Sequence, residues 1–197
     1  MMATSRENKS ISQFKSALIG GGARPNLFEV ELTTLPAGIQ WDAENFRFMA
    51  KAAALPAQNI AAIDVPFRGR IFKVAGDRTI DTWTVTIIND ESFALRNAME
   101  QWTEQIARLT NNLGATDPSA YMTNAKVFQL GRGASKSSRD SSGSSNAVLK
   151  EYEFIDIFPT TVGEIALSYD TGDTIEEFDV EFQVQSLNLT GTGSPNG

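Results

Sequence analysis

The sequence predicts a mainly β (α+β) fold, an antiparallel β-sandwich or partly closed barrel with one long flanking α-helix. Three observations carry this expectation. Segments rich in β-branched and aromatic residues recur at short spacing with turn-forming residues between them. The last of them, "TIEEFDVEFQVQSL", alternates cleanly, with Phe178, Val180, Phe182 and Val184 on one face and Asp179, Glu181, Gln183 and Gln185 on the other. Over roughly residues 91–111 the apolar period changes from two to three and four.

Taken in order, the first 25 residues are polar and Gly-rich, and they close on "IGGGARP", where a Gly run followed by Arg-Pro cannot sustain a helix. Residues 1–25 are expected to be a mobile arm, 26–190 a single domain and 191–197 a disordered tail. A chain of 197 residues is ample for one such core. In "NLFEVEL", Phe28, Val30 and Leu32 alternate with Leu27, Glu29 and Glu31, the pattern of a strand. "NFRFMAKAAAL", residues 45–55, reads as a second strand with Phe46, Phe48 and Ala50 on one face, although its Ala-rich end also suits a helix. The two Pro of "LPAQNIAAIDVPFRG" deny ladder donors, so this stretch is expected to be an extended excursion between strands. "RIFKVAG" and "TIDTWTVTII" are expected to pair as a hairpin turning at Gly76-Asp77-Arg78.

The helix follows, with Leu95, Ala98, Met99, Trp102, Ile106, Leu109 and Leu113 on its apolar face, a cap at Asn89 or Asp90, and Asn112 and Gly114 suited to its end. "NAKVFQL" is a strand. The Ser/Gly tract 131–147 has no apolar residue larger than Ala and is expected to be a flexible loop. "VLKEYEFIDIF" resumes strand composition, with Pro159 ending it.

The chain has no Cys and no His, which removes disulfides, thiolate and His-based nucleophiles and nearly every zinc or copper site. No run approaches the roughly 18 apolar residues of a membrane helix, and the N-terminus lacks a secretory pattern, so a cytoplasmic origin without membrane attachment is expected. Neighbouring carboxylates such as Glu176-Glu177 and Asp179 with Glu181 read as a solvated acidic face, and "GGGARP" lacks the Lys-Ser/Thr of a phosphate loop. No catalytic residue, metal or cofactor is expected.

A formal charge of −7 disfavours a dedicated nucleic-acid binder. Yet Arg68, Arg70, Lys73 and Arg78 crowd into "VPFRGRIFKVAGDRTIDTWTVTI". If 70–75 is a strand, Arg70 and Lys73 lie on opposite faces, which does not make one nucleic-acid stripe. Ordinary surface charge accounts for the cluster, and so does self-association, because one basic edge and one acidic face are complementary between copies.

The run "LPAQNIAAIDVPFRGRIFKVAGDRTIDTWTVTIINDESFALRNAMEQW" closely resembles the tail tube proteins of contractile-tailed bacteriophages. So do "FKSALIGGGARPNLFEVEL" before it and "KVFQL" and "YEFIDIFPTTVGEIALSYDTGDTIEEFDVEF" after it. The tract 131–147 looks like an insertion. The resemblance implies a virion protein whose copies form hexameric rings stacked into a hollow tube inside a sheath, with baseplate and tape-measure proteins as partners and DNA passing through without specific binding. The same fold serves type VI secretion and related injection tubes, which stand as the alternative machine, and a small nucleic-acid-binding β domain is the alternative class. On this frame Asp179, Glu181, Gln183 and Gln185 are expected to face the channel. Leu55, Pro56, Asn59, Arg68, Arg70, Lys73 and Arg78 are expected at contacts between subunits.

Overall fold

The computed structural model describes residues 10–18, 21–32, 34–134, 146–170 and 172–190. It divides into a larger unit, Glu29–Val127 with Tyr152–Thr190, and a smaller one to which the described parts of Met1–Phe28 and Phe128–Glu151 belong.

In the smaller unit, α1 (Ile11–Ala17) lies upstream of the Gly run and is opened by a capping box: Gln13 N donates to Ser10 Oγ at 3.3 Å and Ser10 N to Gln13 Oε1 at 2.9 Å. The amide of Leu130 donates to Leu27 O at 2.8 Å, and the Gln129 side chain donates to the carbonyls of Arg24 and Leu27.

The remaining elements are β1 (Phe28–Leu32), α2 (Ala43–Met49), β2 (Ala50–Ala54), β3 (Gln58–Phe67), β4 (Arg70–Ile80), β5 (Trp83–Ile88), α3 (Ala94–Ile106), β6 (Thr123–Ala134), β7 (Asn146–Val162), β8 (Glu177–Gln183) and β9 (Ser186–Thr190). One sheet runs β1-β6-β7-β8-β5-β2 with β9 also on β7, and β3 and β4 form a separate two-stranded ribbon. The β2–β5, β5–β8, β7–β8 and β3–β4 pairs are antiparallel. The mainly β class with a flanking helix is therefore what the chain adopts.

The core lies between the inward face of this sheet and α3. Trp83, Val85 and Ile87 of β5 and Phe178, Val180 and Phe182 of β8 are buried, as are Leu95, Ala98, Met99 and Trp102 of α3. Trp83 packs on Phe154 and Phe182 with ring centroids 4.6 and 5.2 Å away, and Trp102 lies 5.8 Å from Phe182. The indole N–H of Trp102 donates to Tyr121 O at 2.7 Å, which satisfies the one polar atom the ring carries inside.

Several local expectations are corrected. Residues 43–49 are a helix rather than a strand, because Asp42 caps it by accepting from the amides of Glu44 and Asn45; Phe46 is then buried while Phe48 is 69% exposed. The stretch 58–67 is a full strand, since its Pro66 lies in a two-stranded ribbon that leaves one edge unpaired. The helix α3 is shorter than expected and starts after Phe93, which takes a left-handed backbone (φ 54°), while Ser92 Oγ accepts from the Ala94 amide. It ends at Ala107 in extended backbone, which leaves Leu109 and Leu113 exposed. Pro159 does not end β7; the strand continues to Val162 across a register shift between Pro159 and Thr161, the kind of site where a ladder tolerates Pro. β6 extends to Ala134 and β7 begins at Asn146, so the ends of the Ser/Gly tract are strand; its residues 135–145, like residues 191–197, lie outside the described residues.

Trp83→Ala should lower stability by about 3–5 kcal/mol, whereas Phe72→Ala on the exposed ribbon should change it by less than about 0.5 kcal/mol. Urea unfolding of the unassembled subunit, followed by far-UV circular dichroism, checks both.

Candidate assembly surfaces

Because strand side chains alternate, burying Trp83, Val85 and Ile87 sends Thr84, Thr86 and Ile88 to the opposite face. The register sets Thr84 opposite Glu181, Thr86 opposite Asp179 and Ile88 opposite Glu177. On the far side of β5, Ala54 pairs with Thr84 and Ala52 with Thr86; on the far side of β8, Thr161 pairs with Glu181. The outward face is therefore mostly Ala and Thr crossed by acidic residues, with Ile88 at one end. Thr86 Oγ1 donates to Asp179 Oδ1 at 2.6 Å, which holds that carboxylate along the sheet. Lys51, displaced from strict alternation by the register shift between Ala50 and Ala52, pairs with Glu177. Among the expected wall residues, Asp179, Glu181 and Gln183 share this face, while Gln185 follows the end of β8 and is exposed in the connection to β9.

The ribbon has both faces in solvent. Phe67 pairs with Arg70, so Arg68 (φ 45°) and Gly69 (φ 82°) are the two central residues of a type I′ hairpin turn. The turn is thus at Arg68-Gly69, not at Gly76-Asp77-Arg78. The latter residues lie within β4, where Ile60 pairs with Arg78 and Ala62 with Ala75; Gly76 and Asp77 together oppose Ala61, a β-bulge. A Cβ at Gly76 would stand 3.0 Å from Ala61 O, which suits Gly at this point.

Cross-strand pairing places Ile63 with Val74, Val65 with Phe72 and Phe67 with Arg70 on one face. Five of those six side chains are apolar, and Phe67 and Phe72 are 67% and 66% exposed. The other face carries Asp64 with Lys73, an ion pair at 2.7 Å whose partners are both largely solvated and which contributes little to stability. Arg68 lies over the ring of Phe67, 5.5 Å from its centroid. At the base, Asn59 donates to Asp81 Oδ1 at 3.0 Å, and Leu55 and Pro56 form the link from β2. Arg78 lines an open cleft of about 450 Å³ together with Gln58, Gln183 and Gln185, so one residue of the basic cluster and two of the expected wall residues share it. The apolar face of the ribbon escaped sequence reasoning. Its signal was the two-residue Arg-Gly step between two β-rich runs, masked because Arg replaces the usual Asn or Asp at the first turn position.

A family model described as phage tail tube protein matches residues 23–189. The chain is 38% identical over 161 residues to tail tube protein gp19 of Enterobacteria phage T4, covering 82% of this chain and 88% of the relative. The chain belongs to the phage tail tube protein family. Tail tube protein gp19 of Enterobacteria phage T6 matches at the same identity and coverage. Among solved structures, the terminating cap of the anti-feeding prophage tube superposes with a TM-score of 0.58 at 15% identity, covering 96% of this chain and 99% of that one. The sheath-tube complex of an extracellular contractile injection system gives 0.54 at 12% identity, covering 93% and 99%; both likenesses concern the fold. The chain is a tail tube subunit, a structural component of the phage tail and not an enzyme.

Gly69→Val would force a β-branched residue into the left-handed region. Trypsin should then cleave after Arg68 and Arg70 markedly faster than in the unaltered subunit, with the melting temperature of the core unchanged; equal cleavage rates would contradict the turn assignment.

Proposed function

We propose that copies of this subunit close into hexameric rings that stack into a hollow tube, with the outward face of β2, β5 and β8 lining the channel. The observation that carries this reading is that face itself: Ala and Thr rows with Asp179 and Glu181 among them, on a sheet whose end strand β2 has one edge unpaired among the described residues. An open edge is a template for pairing, and a closed ring satisfies it by joining the sheet of one copy to that of the next. A small-residue wall offers DNA no aromatic foothold, its one lysine, Lys51, is paired with Glu177, and its carboxylates repel phosphates, so the genome slides through without specific binding.

The ribbon, with Arg68, Arg70, Lys73 and Arg78 and the link Leu55, Pro56 and Asn59, is assigned to contacts between copies. A two-stranded ribbon with exposed aromatics is marginal in water and gains from burial against a neighbour. Sheath, baseplate and tape-measure proteins are the remaining partners, and assembly takes place in the cytoplasm of the bacterial host. Identity to phage tail tube proteins over most of the chain favours a phage tail over another contractile machine.

Negative-stain electron microscopy of the purified subunit should show rings or hollow tubes of uniform width. Asp179→Lys with Glu181→Lys should leave those tubes intact while slowing DNA ejection about tenfold or more, by the loss of repulsion and gain of phosphate contacts. Ejection at the unaltered rate from normal tubes would count against the wall assignment.

A further inference from the structure

We propose that the tip of the β3–β4 ribbon docks on the 163–176 connection of a neighbouring copy; this rests on the self-assembly reading above and names the receiving surface. The connection joins β7 to β8, and among its described residues, 163–170 and 172–176, there is no helix or strand. It is of the length, roughly 12–15 residues, at which unstructured connections in compact domains become uncommon and tend to be functional.

Its composition complements the ribbon tip on both counts that matter. Between residues 163 and 176 there is no Lys or Arg, while Glu164, Asp170, Asp173 and Glu176 are acidic. Leu167, Tyr169 and Ile175 are 83%, 109% and 70% exposed, an apolar group within an acidic segment. The tip is the inverse, with exposed Phe67 and Phe72 beside Arg68 and Arg70. Among the described residues neither arginine has a carboxylate partner, and neither Asp170 nor Asp173 has a cationic one. Within one copy each surface leaves both its charge and its apolar area unmatched.

The acidic outward face of β8 is the competing receiver, and its chemistry fits poorly. Apart from Ile88 at one end its apolar neighbours are Ala and the methyl groups of Thr, which give Phe67 and Phe72 little to pack on, and two of its carboxylates already have partners in Thr86 and Lys51. Reach is not limiting, because a ten-residue strand such as β3 extends about 33 Å. The connection is also anchored where it starts. Gly163 N donates to Asp179 O at 2.7 Å and Gly163 O accepts from Arg96 Nη1 at 2.6 Å, with a Cβ at Gly163 excluded by Asp179 O at 2.8 Å.

The test is a reciprocal charge reversal read by sedimentation and negative-stain microscopy, with circular dichroism confirming that each variant is folded. One variant carries Arg68→Asp and Arg70→Asp, the other Asp170→Arg and Asp173→Arg. Each alone sets like charges at the contact and should lose the pelleted, tubular fraction under conditions where the unaltered subunit assembles. In an equimolar mixture each ribbon meets an opposite charge on the other variant, and tubes should return. Assembly of either folded variant alone at the unaltered level, or no recovery on mixing, would overturn the proposal while leaving the self-assembly reading standing. An unaltered subunit that stays monomeric throughout would overturn both.

Discussion

The packing of Trp83 between Phe154 and Phe182, with Trp102 of α3 against the same Phe182, is the constraint on which the rest depends. A one-residue slip of β5 on β8 would turn every side chain of the slipped strand to the other face, exposing an indole and several large apolar groups at a cost of many kcal/mol. The register Trp83 to Phe182 is therefore fixed from inside. Once it is fixed, Thr84 must lie by Glu181 and Thr86 by Asp179 on the outside. The polar wall is a consequence of the core, and a substitution that loosened the core would scramble the wall as well.

The ribbon obeys the same alternation without a core beneath it. Ile63, Val65, Phe67, Phe72 and Val74 line one face as Phe178, Val180 and Phe182 line one face of β8, but among the described residues nothing buries them. Exposed apolar area of this kind favours association over solubility, and the basic residues around it limit which partner is accepted. A non-glycine residue held at φ 45° at the tip fits the same reading, since Asn or Gly would suit the turn better and Arg68 carries a conformational cost that a contact with another copy would offset.

The class of the fold, the helix and both faces of β8 were legible in the sequence because each rests on a long, uninterrupted period: Phe178 to Phe182 at two, Leu95 to Trp102 at three and four. What was illegible depended on single residues or on partners far along the chain. Asp42 capped a helix over a segment whose alternation, Phe46 and Phe48, resembled a strand. Gly76-Asp77 looked like a turn because composition does not distinguish a turn from a bulge inside a strand. Leu109 and Leu113 continued the helical period, but the backbone left the helix at Ala107. Of the candidate site residues, Asp179, Glu181 and Gln183 were placed on one face by alternation alone. The separation of Arg70 from Lys73 across the ribbon followed from the same rule.

The distribution of charge across the outward face is uneven in a way that bears on the channel wall proposed above. Glu177 is neutralised by Lys51, and Lys51 reaches it because of the irregularity in β2, so the end of the face nearest α2 carries little net charge. Asp179 is held by Thr86 without being neutralised, and Glu181 stands between Thr84 and Thr161 with no cation at either side. The uncompensated charge thus falls in the middle of the strand, where a ring of copies would repeat it around the channel at one level. Hydroxyl and methyl groups surround it, and the hydroxyl of Thr86 is already engaged by Asp179. A surface of this composition repels at a distance and adheres weakly on contact, the combination that transit of a polyanion requires.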